Sequence, residues 1–252
     1  MSIILFGDYH THSNFSGDSK TPLEQNIITA IDKGLKEIAV TDHGIKHKAN
    51  GMSKKSFLKQ VELVNELRQK YPQIKILQSM EANLLGRSGN LDVEEVLPYL
   101  DFLMMGFHAT SKPESLFSFF YFNLPALVKI FKPSKRTIEK NTTAYLKCIE
   151  KYPLTFVNHL NYKMPILIRP IAKLCKETNT LVELNGKRVL FSPQEIEILL
   201  EEEVNFVVNS DAHTYEKIGD ISHPLKFIEE YNIPLERIKN INQTLPLKPI
   251  KK

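Results

Sequence analysis

A parallel α/β barrel with a metal site at its mouth, formed as one domain over residues 1–252, is the fold class the sequence predicts. Two observations lead to it. Histidines and acids of metal-binding type recur at the ends of short apolar runs, and helix signals alternate with those runs. A third point is permissive: 252 residues with 42% hydrophobic and 25% charged content can bury a full core as an ordinary globular domain.

Taken in order, the apolar run 3–6 leads into Asp8-Tyr9-His10-Thr11-His12, and 38–40 into Thr41-Asp42-His43. The run 74–77 precedes Glu81, 102–105 precedes His108, 156–157 precedes His159, and 206–208 precedes Ser210-Asp211-Ala212-His213. Polar ligands at the carboxyl ends of successive buried strands describe the mouth of a parallel barrel. A further run, 181–184, ends at Asn185-Gly186 and brings the expected count to seven strands. Between them, Thr21-Pro22-Leu23-Glu24 and Ser192-Pro193-Gln194-Glu195 each combine a hydroxyl N-cap, a proline at the first helical position and a glutamate at N3. Phe57, Val61, Val64 and Leu67 recur at three- and four-residue intervals, the stripe of a helix that covers a sheet. Further helices are expected at 134–151, 165–176 and 216–231. Strict alternation of strand and helix implies a parallel sheet.

Charge and composition exclude several functions. The formal charge of +4 is mild and its basic residues are scattered among 29 acids, apart from a modest cluster at 132–136 and a tail at 248–252. No stripe for long nucleic acid is present. The amino terminus has no basic n-region before its apolar residues, so no signal peptide is expected. Cys148 and Cys175 lack metal spacing and read as free buried thiols of a cytoplasmic protein. Residues 116–131, LFSFFYFNLPALVKIF, are interrupted by Asn123, Pro125 and Lys129 and fall short of the roughly 20 apolar residues of a spanning helix. Stable membrane insertion is not expected. This segment lies in the long interval between His108 and His159, where it reads as an apolar cap over the site or as an outer helix buried against the barrel.

On a strand, Asp8, His10 and His12 share one face and Thr11 points away, so two imidazoles can chelate one ion. Six of the eight histidines fall at or just after strand ends. The other two are His47, flanked by lysines, which reads as a solvated loop residue, and His223, before Pro224, which reads as structural. Zinc, manganese and iron(II) all accept imidazole and carboxylate, and the lack of cysteine ligands argues against a closed structural zinc site.

With the upstream Asp8, the motifs HTH, TDHG, the Glu81 strand end and SDAH stand in the order that characterises the PHP (polymerase and histidinol phosphatase) superfamily, which this chain resembles over essentially its whole length. The resemblance implies a distorted seven-stranded, TIM-like (β/α)7 barrel and a trinuclear site for three divalent ions, Zn, Mn or Fe. It implies one ion held by His10, His12, Glu81 and Asp211, a second by Glu81, His108 and His159, and a third by Asp18, His43 and His213. Glu81 then bridges two ions, and Glu81, Asp211 and His213 are the candidate catalytic residues.

Three divalent ions outweigh three carboxylates and one hydroxide, a surplus suited to a phosphate dianion. The expected reaction is hydrolysis of a small-molecule phosphate monoester by a metal-activated hydroxide, with histidinol phosphate one candidate. Alternatives are a nucleotide phosphatase or nuclease, and a non-catalytic metal-binding module. Asp8 and Asp42 are expected to fix histidine tautomers, or, for Asp42, to cap a turn. Arg87, Lys187 and Arg188 read first as solvated charges, with a phosphate clamp as the alternative.

Overall fold

The structure is a computed structural model that describes residues 3–128 and 133–250. Parts of the 116–131 run, the 132–136 cluster and the C-terminal tail lie outside those residues. Among the described residues, eight strands form two parallel sheets. The first contains β1 (Gly7–Asp8), β2 (Glu37–Val40) and β3 (Lys75–Gln78), in that order. The second contains β4 (Glu81–Asn83), β5 (Leu103–Gly106), β6 (Leu154–Val157), β7 (Leu181–Asn185) and β8 (Phe206–Asn209).

The count differs from the expected seven for a local reason. The third path breaks at Ser79 and Met80, where it changes partner: β3 pairs with β2, whereas β4 pairs with β5. Across the gap, Ser79 N still donates to Val40 O, and the Ser79 hydroxyl reaches to Phe102 O on the other side. Single parallel bridges link the two edges of the second sheet to the first: Glu81 of β4 pairs with His43, just past the central β2, and Ala212, past β8, pairs with Thr11, past β1. Seven chain paths also contribute to one apolar cluster, made by Tyr9, Ala39, Leu77, Phe102, Met104, Phe156, Leu181 and Val207 with Leu245. Burying side chains of this size contributes about 1.5–3 kcal/mol each, so this interior and the larger cluster beneath the helices hold the strand ends in place.

The first strand lies later than expected. Ile3 and Ile4 are exposed, and Leu5 makes an antiparallel bridge to Ile241. Helix ends follow their caps. Ser53, Ser134 and Ser192 each accept the N3 amide, and Ser192 with Glu195 completes a capping box; such caps contribute about 1 kcal/mol each. Thr21 does not cap: Pro22 occupies the N-cap of Leu23–Asp32 with no side-chain bond. The helix Ile168–Thr178 ends on Asn179 at φ 52°, a left-handed C-terminal residue. The helix expected at 216–231 shortens to Ser222–Glu230, because Gly219 at φ 69° breaks the chain after a 3₁₀ turn at Tyr215–Lys217.

The described part of the 116–131 run, 116–128, is continuously helical but not fully buried. A short α-helical segment, Leu116–Ser118, leads into a π-helical stretch, Phe119–Asn123, and then into the α-helical Leu124–Val128. Asn123 is buried and its amide donates to Ala109 O and Ser111 O, which ties the segment to the loop after β5. Phe117, Phe120 and Tyr121 remain exposed. Among the described residues, no helix is long and apolar enough to cross a membrane. Cys148 and Cys175 are free and buried.

Candidate metal centre

The nine expected ligands converge in space: seven follow the carboxyl ends of strands, Glu81 opens β4 just past the break after β3, and Asp18 comes from the loop that follows β1. Thr11 donates its hydroxyl to Ala39 O and its amide to Thr41 Oγ1, which turns it outward and sends His10 and His12 inward. Glu81 occupies the middle. Its carboxylate lies 3.5 and 3.6 Å from His10 Nε2 and His12 Nε2, 2.8 Å from His43 Nδ1 and His159 Nε2, and 3.4 Å from His108 Nε2. Asp211 lies 3.4 Å from His12 Nε2 and 3.7 Å from His10 Nε2. Asp18 lies 3.1 Å from His43 Nε2 and 3.3 Å from His213 Nε2. Two of these residues sit on left-handed backbone, His159 at φ 27° and Asp211 at φ 53°, the sort of local strain that turns a strand-end side chain into a site.

These distances fit shared cations. Two ligands about 2.1 Å from one tetrahedral ion are about 3.4 Å apart, the spacing seen here between several nitrogen and oxygen pairs. Potential donor atoms fall into groups within 4.8 Å of one another: His10, His12 and Asp211; Glu81, His108 and His159; and His12, Asp18, His43 and His213. His10 Nε2 and His12 Nε2 are buried without a hydrogen-bond partner among the described residues, as nitrogens reserved for a cation would be.

Electrostatics agree. Burial, with His213 and His43 alongside, pushes His12 down to about 3, so it is the neutral imidazole a metal requires. Burial would raise Glu81 and Asp211, but the surrounding imidazoles hold both below the usual carboxylate range. Against its own burial, His43 is raised to about 10 by Glu81 and Asp18. The buried acids draw positive charge into the cluster.

Several residues depart from their expected roles. His47 is buried, not solvated. Its Nδ1 accepts from Asn50 N, its Nε2 bonds Thr110 Oγ1, and its ring stacks on His43 at 4.6 Å. It groups with His43 and His108, but both its nitrogens are already engaged, so it acts as a strut. His223 is exposed on the helix Ser222–Glu230. Asp8 bonds Ser210 and Gly219 N, and Asp42 bonds Ser13 and Gln60, so neither fixes a histidine ring. Arg87 stacks on Phe117, away from the pocket. Lys187 and Arg188 do line it: Lys187 Nζ lies 2.7 Å from His213 Nδ1 and 3.3 Å from Asp211, and Arg188 stacks on Tyr162.

The residues that orient the rings escaped the sequence reading. Glu183, buried on β7, bonds His10 Nδ1 at 2.8 Å, and Asn83 Oδ1 bonds His108 Nδ1 at 2.8 Å. Both bonds leave Nε2 facing inward, the arrangement that typically fixes ligand tautomers. Asn83 is itself held by Asp92. Gly106 leaves the space this packing needs, since a Cβ there would come within 2.7 Å of the His159 ring. The available signal was Glu183 itself, an acid inside the otherwise apolar run LVEL.

The pocket above the cluster encloses about 240 Å³ and includes Asp18, His43, Glu81, His108, His159, Asp211 and His213 in its walls. Similar chains carry the name probable phosphatase. One, from Caldanaerobacter subterraneus subsp. tengcongensis, is 26% identical over 95% of this chain and 89% of its own length. Another, from Thermoanaerobacter pseudethanolicus, is 28% identical over 95% and 91%. Among solved structures, histidinol phosphate phosphatase from Lactococcus lactis, complexed with zinc, L-histidinol and phosphate, has the same fold, with a TM-score of 0.61 and 17% identity over 91% of this chain and 95% of that one. The sequence model of the PHP domain matches residues 8–189, and on that match the chain belongs to the PHP domain family.

Proposed function

We propose that this chain is a metal-dependent phosphatase that releases phosphate from a small-molecule phosphate monoester at the nine-residue cluster. It is a hydrolase of the phosphoric ester class, in keeping with its PHP family and its phosphatase relatives. One observation carries the reading. Partnerless, buried imidazole nitrogens and ionised carboxylates stand at ligand-to-ligand spacing around Glu81, on the floor of an open pocket. The bridges from both edges of the second sheet to the first, with the shared apolar interior, support the distorted seven-path barrel.

His10, His12, Glu81 and Asp211 would hold one divalent ion, Glu81, His108 and His159 a second, and Asp18, His43 and His213 a third. Zinc, manganese and iron(II) suit such nitrogen and oxygen donors. When bound, such ions supply Lewis acidity and lower the pKa of water from about 15.7 towards 7. Glu81 would contribute charge to two sites at once, and Glu183 and Asn83 would hold His10 and His108 in the ligating tautomer. Lys187 can pair with a phosphoryl oxygen at the pocket wall. Histidinol phosphate is one candidate ester, given the ligands of the Lactococcus neighbour.

Elemental analysis after metal-replete purification should find two to three ions per chain. Chelation should abolish phosphatase activity on a panel of phosphate esters, and Mn²⁺ or Zn²⁺ should restore it. Fewer than one ion per chain would refute the reading.

A further inference from the structure

A second cavity shares a wall with the metal pocket. It encloses about 390 Å³, within the range of small-molecule sites, and is lined by Lys48, Ala49, Ala109, Thr110, Ser111, Pro113, Phe119 and Leu127. Ala49, Ala109 and Thr110 belong to both cavities. Ala109 and Thr110 directly follow His108, so the shared wall lies within two residues of a candidate ligand. Apart from Lys48 and two hydroxyls, the lining is apolar. The segment supplying Phe119 and Leu127 is fixed in place by the Asn123 bonds to Ala109 O and Ser111 O. Ser111 is 3% exposed, and its hydroxyl has no partner among the described residues.

We infer that this cavity is the leaving-group subsite, so that the preferred substrate is a phosphate monoester with an apolar organic portion. The inference rests on the phosphatase reading. With phosphate over the metal cluster, the ester oxygen can direct its carbon substituent only into solvent or along a wall, and the wall of Ala49, Ala109 and Thr110 is also part of the lining of the apolar cavity. Phe119 and Leu127 then cover the chain.

The test compares ethylphosphonate with hexylphosphonate, binding to the metal-loaded protein by calorimetry, and ethyl with hexyl phosphate as substrates. Each fully buried methylene strengthens binding about fourfold. Because Leu127 is partly exposed, the expected gain from ethyl to hexyl is at least tenfold in Kd and in kcat/KM. In the double variant Phe119→Ala with Leu127→Ala the gain should fall below threefold. Phe120→Ala, on the outward side of the same segment, should preserve it. Equal affinities in the wild type would overturn the subsite, as would a hexyl preference that survives the double variant or is lost equally in Phe120→Ala. Failure of the phosphatase reading looks different: neither ester is hydrolysed in a metal-dependent way, whatever the phosphonate affinities.

Discussion

Glu183→Gln isolates the orientation of His10 from the ligand set itself. One carboxylate oxygen of Glu183 accepts from His10 Nδ1 at 2.8 Å and Asn209 Nδ2 at 2.9 Å; the other accepts from His159 N at 3.1 Å and Asn185 Nδ2 at 2.9 Å. Glutamine keeps the shape but only one acceptor oxygen. Whichever way the amide turns, two of four buried donors face an NH₂ group. A buried donor left without its acceptor costs about 1–3 kcal/mol, so the metal-free protein should lose about 2–6 kcal/mol of stability. If the amide faces His10, the ring also loses the acceptor that holds its Nε2 inward. Losing such an orienting partner weakens metal binding about 10–100-fold. Urea unfolding in the presence of a chelator measures the first effect, and competition with a chromophoric chelator the second. Stability within about 0.5 kcal/mol of wild type together with unaltered metal affinity would refute the assigned role.

Glu81→Gln should lower turnover at least ~100-fold, because one substitution removes charge facing five imidazoles; near-normal activity with full metal content would contradict the bridge. Lys187→Ala should weaken competitive inhibition by inorganic phosphate about tenfold, consistent with loss of one charge-assisted bond, and an unchanged inhibition constant would return Lys187 to the role of a surface charge. Metal-free protein should lose stability as pH falls below about 6.5. His12 and His47 are depressed to about 3 and about 4, so their contributions are complete above the unfolded value and decline as the unfolded chain alone takes up protons, by about 1.4 kcal/mol per pH unit for each residue. His43, raised to about 10, acts in the opposite sense and loses its contribution as pH rises towards that value. Unfolding curves that do not move between pH 6.5 and 4.5 would be inconsistent with this assignment.

Local pattern carried much of the architecture. Strand ends are marked by a switch from apolar runs to histidine and acid, and helix starts by serine caps, because both depend on neighbours a few residues away. Those features placed His10, His12, His43, His108, His159, Asp211 and His213 at the strand ends by themselves; Asp18 needed the family resemblance. What depends on distant chain segments was decided only by tertiary structure. His47 looks solvated between two lysines, yet a bond to Thr110, far along the chain, buries it against His43. Glu183 looks like a stray acid in a strand, yet it meets a histidine 173 positions away. The break at Ser79 and Met80 arises because one path must pair with β2 at its start and β5 at its end, a geometric demand no local sequence signal records. The aromatic run between His108 and His159 shows the same division. Its apolar character is written in its residues, but which side chains line a cavity and which face solvent depends on where Asn123 anchors it.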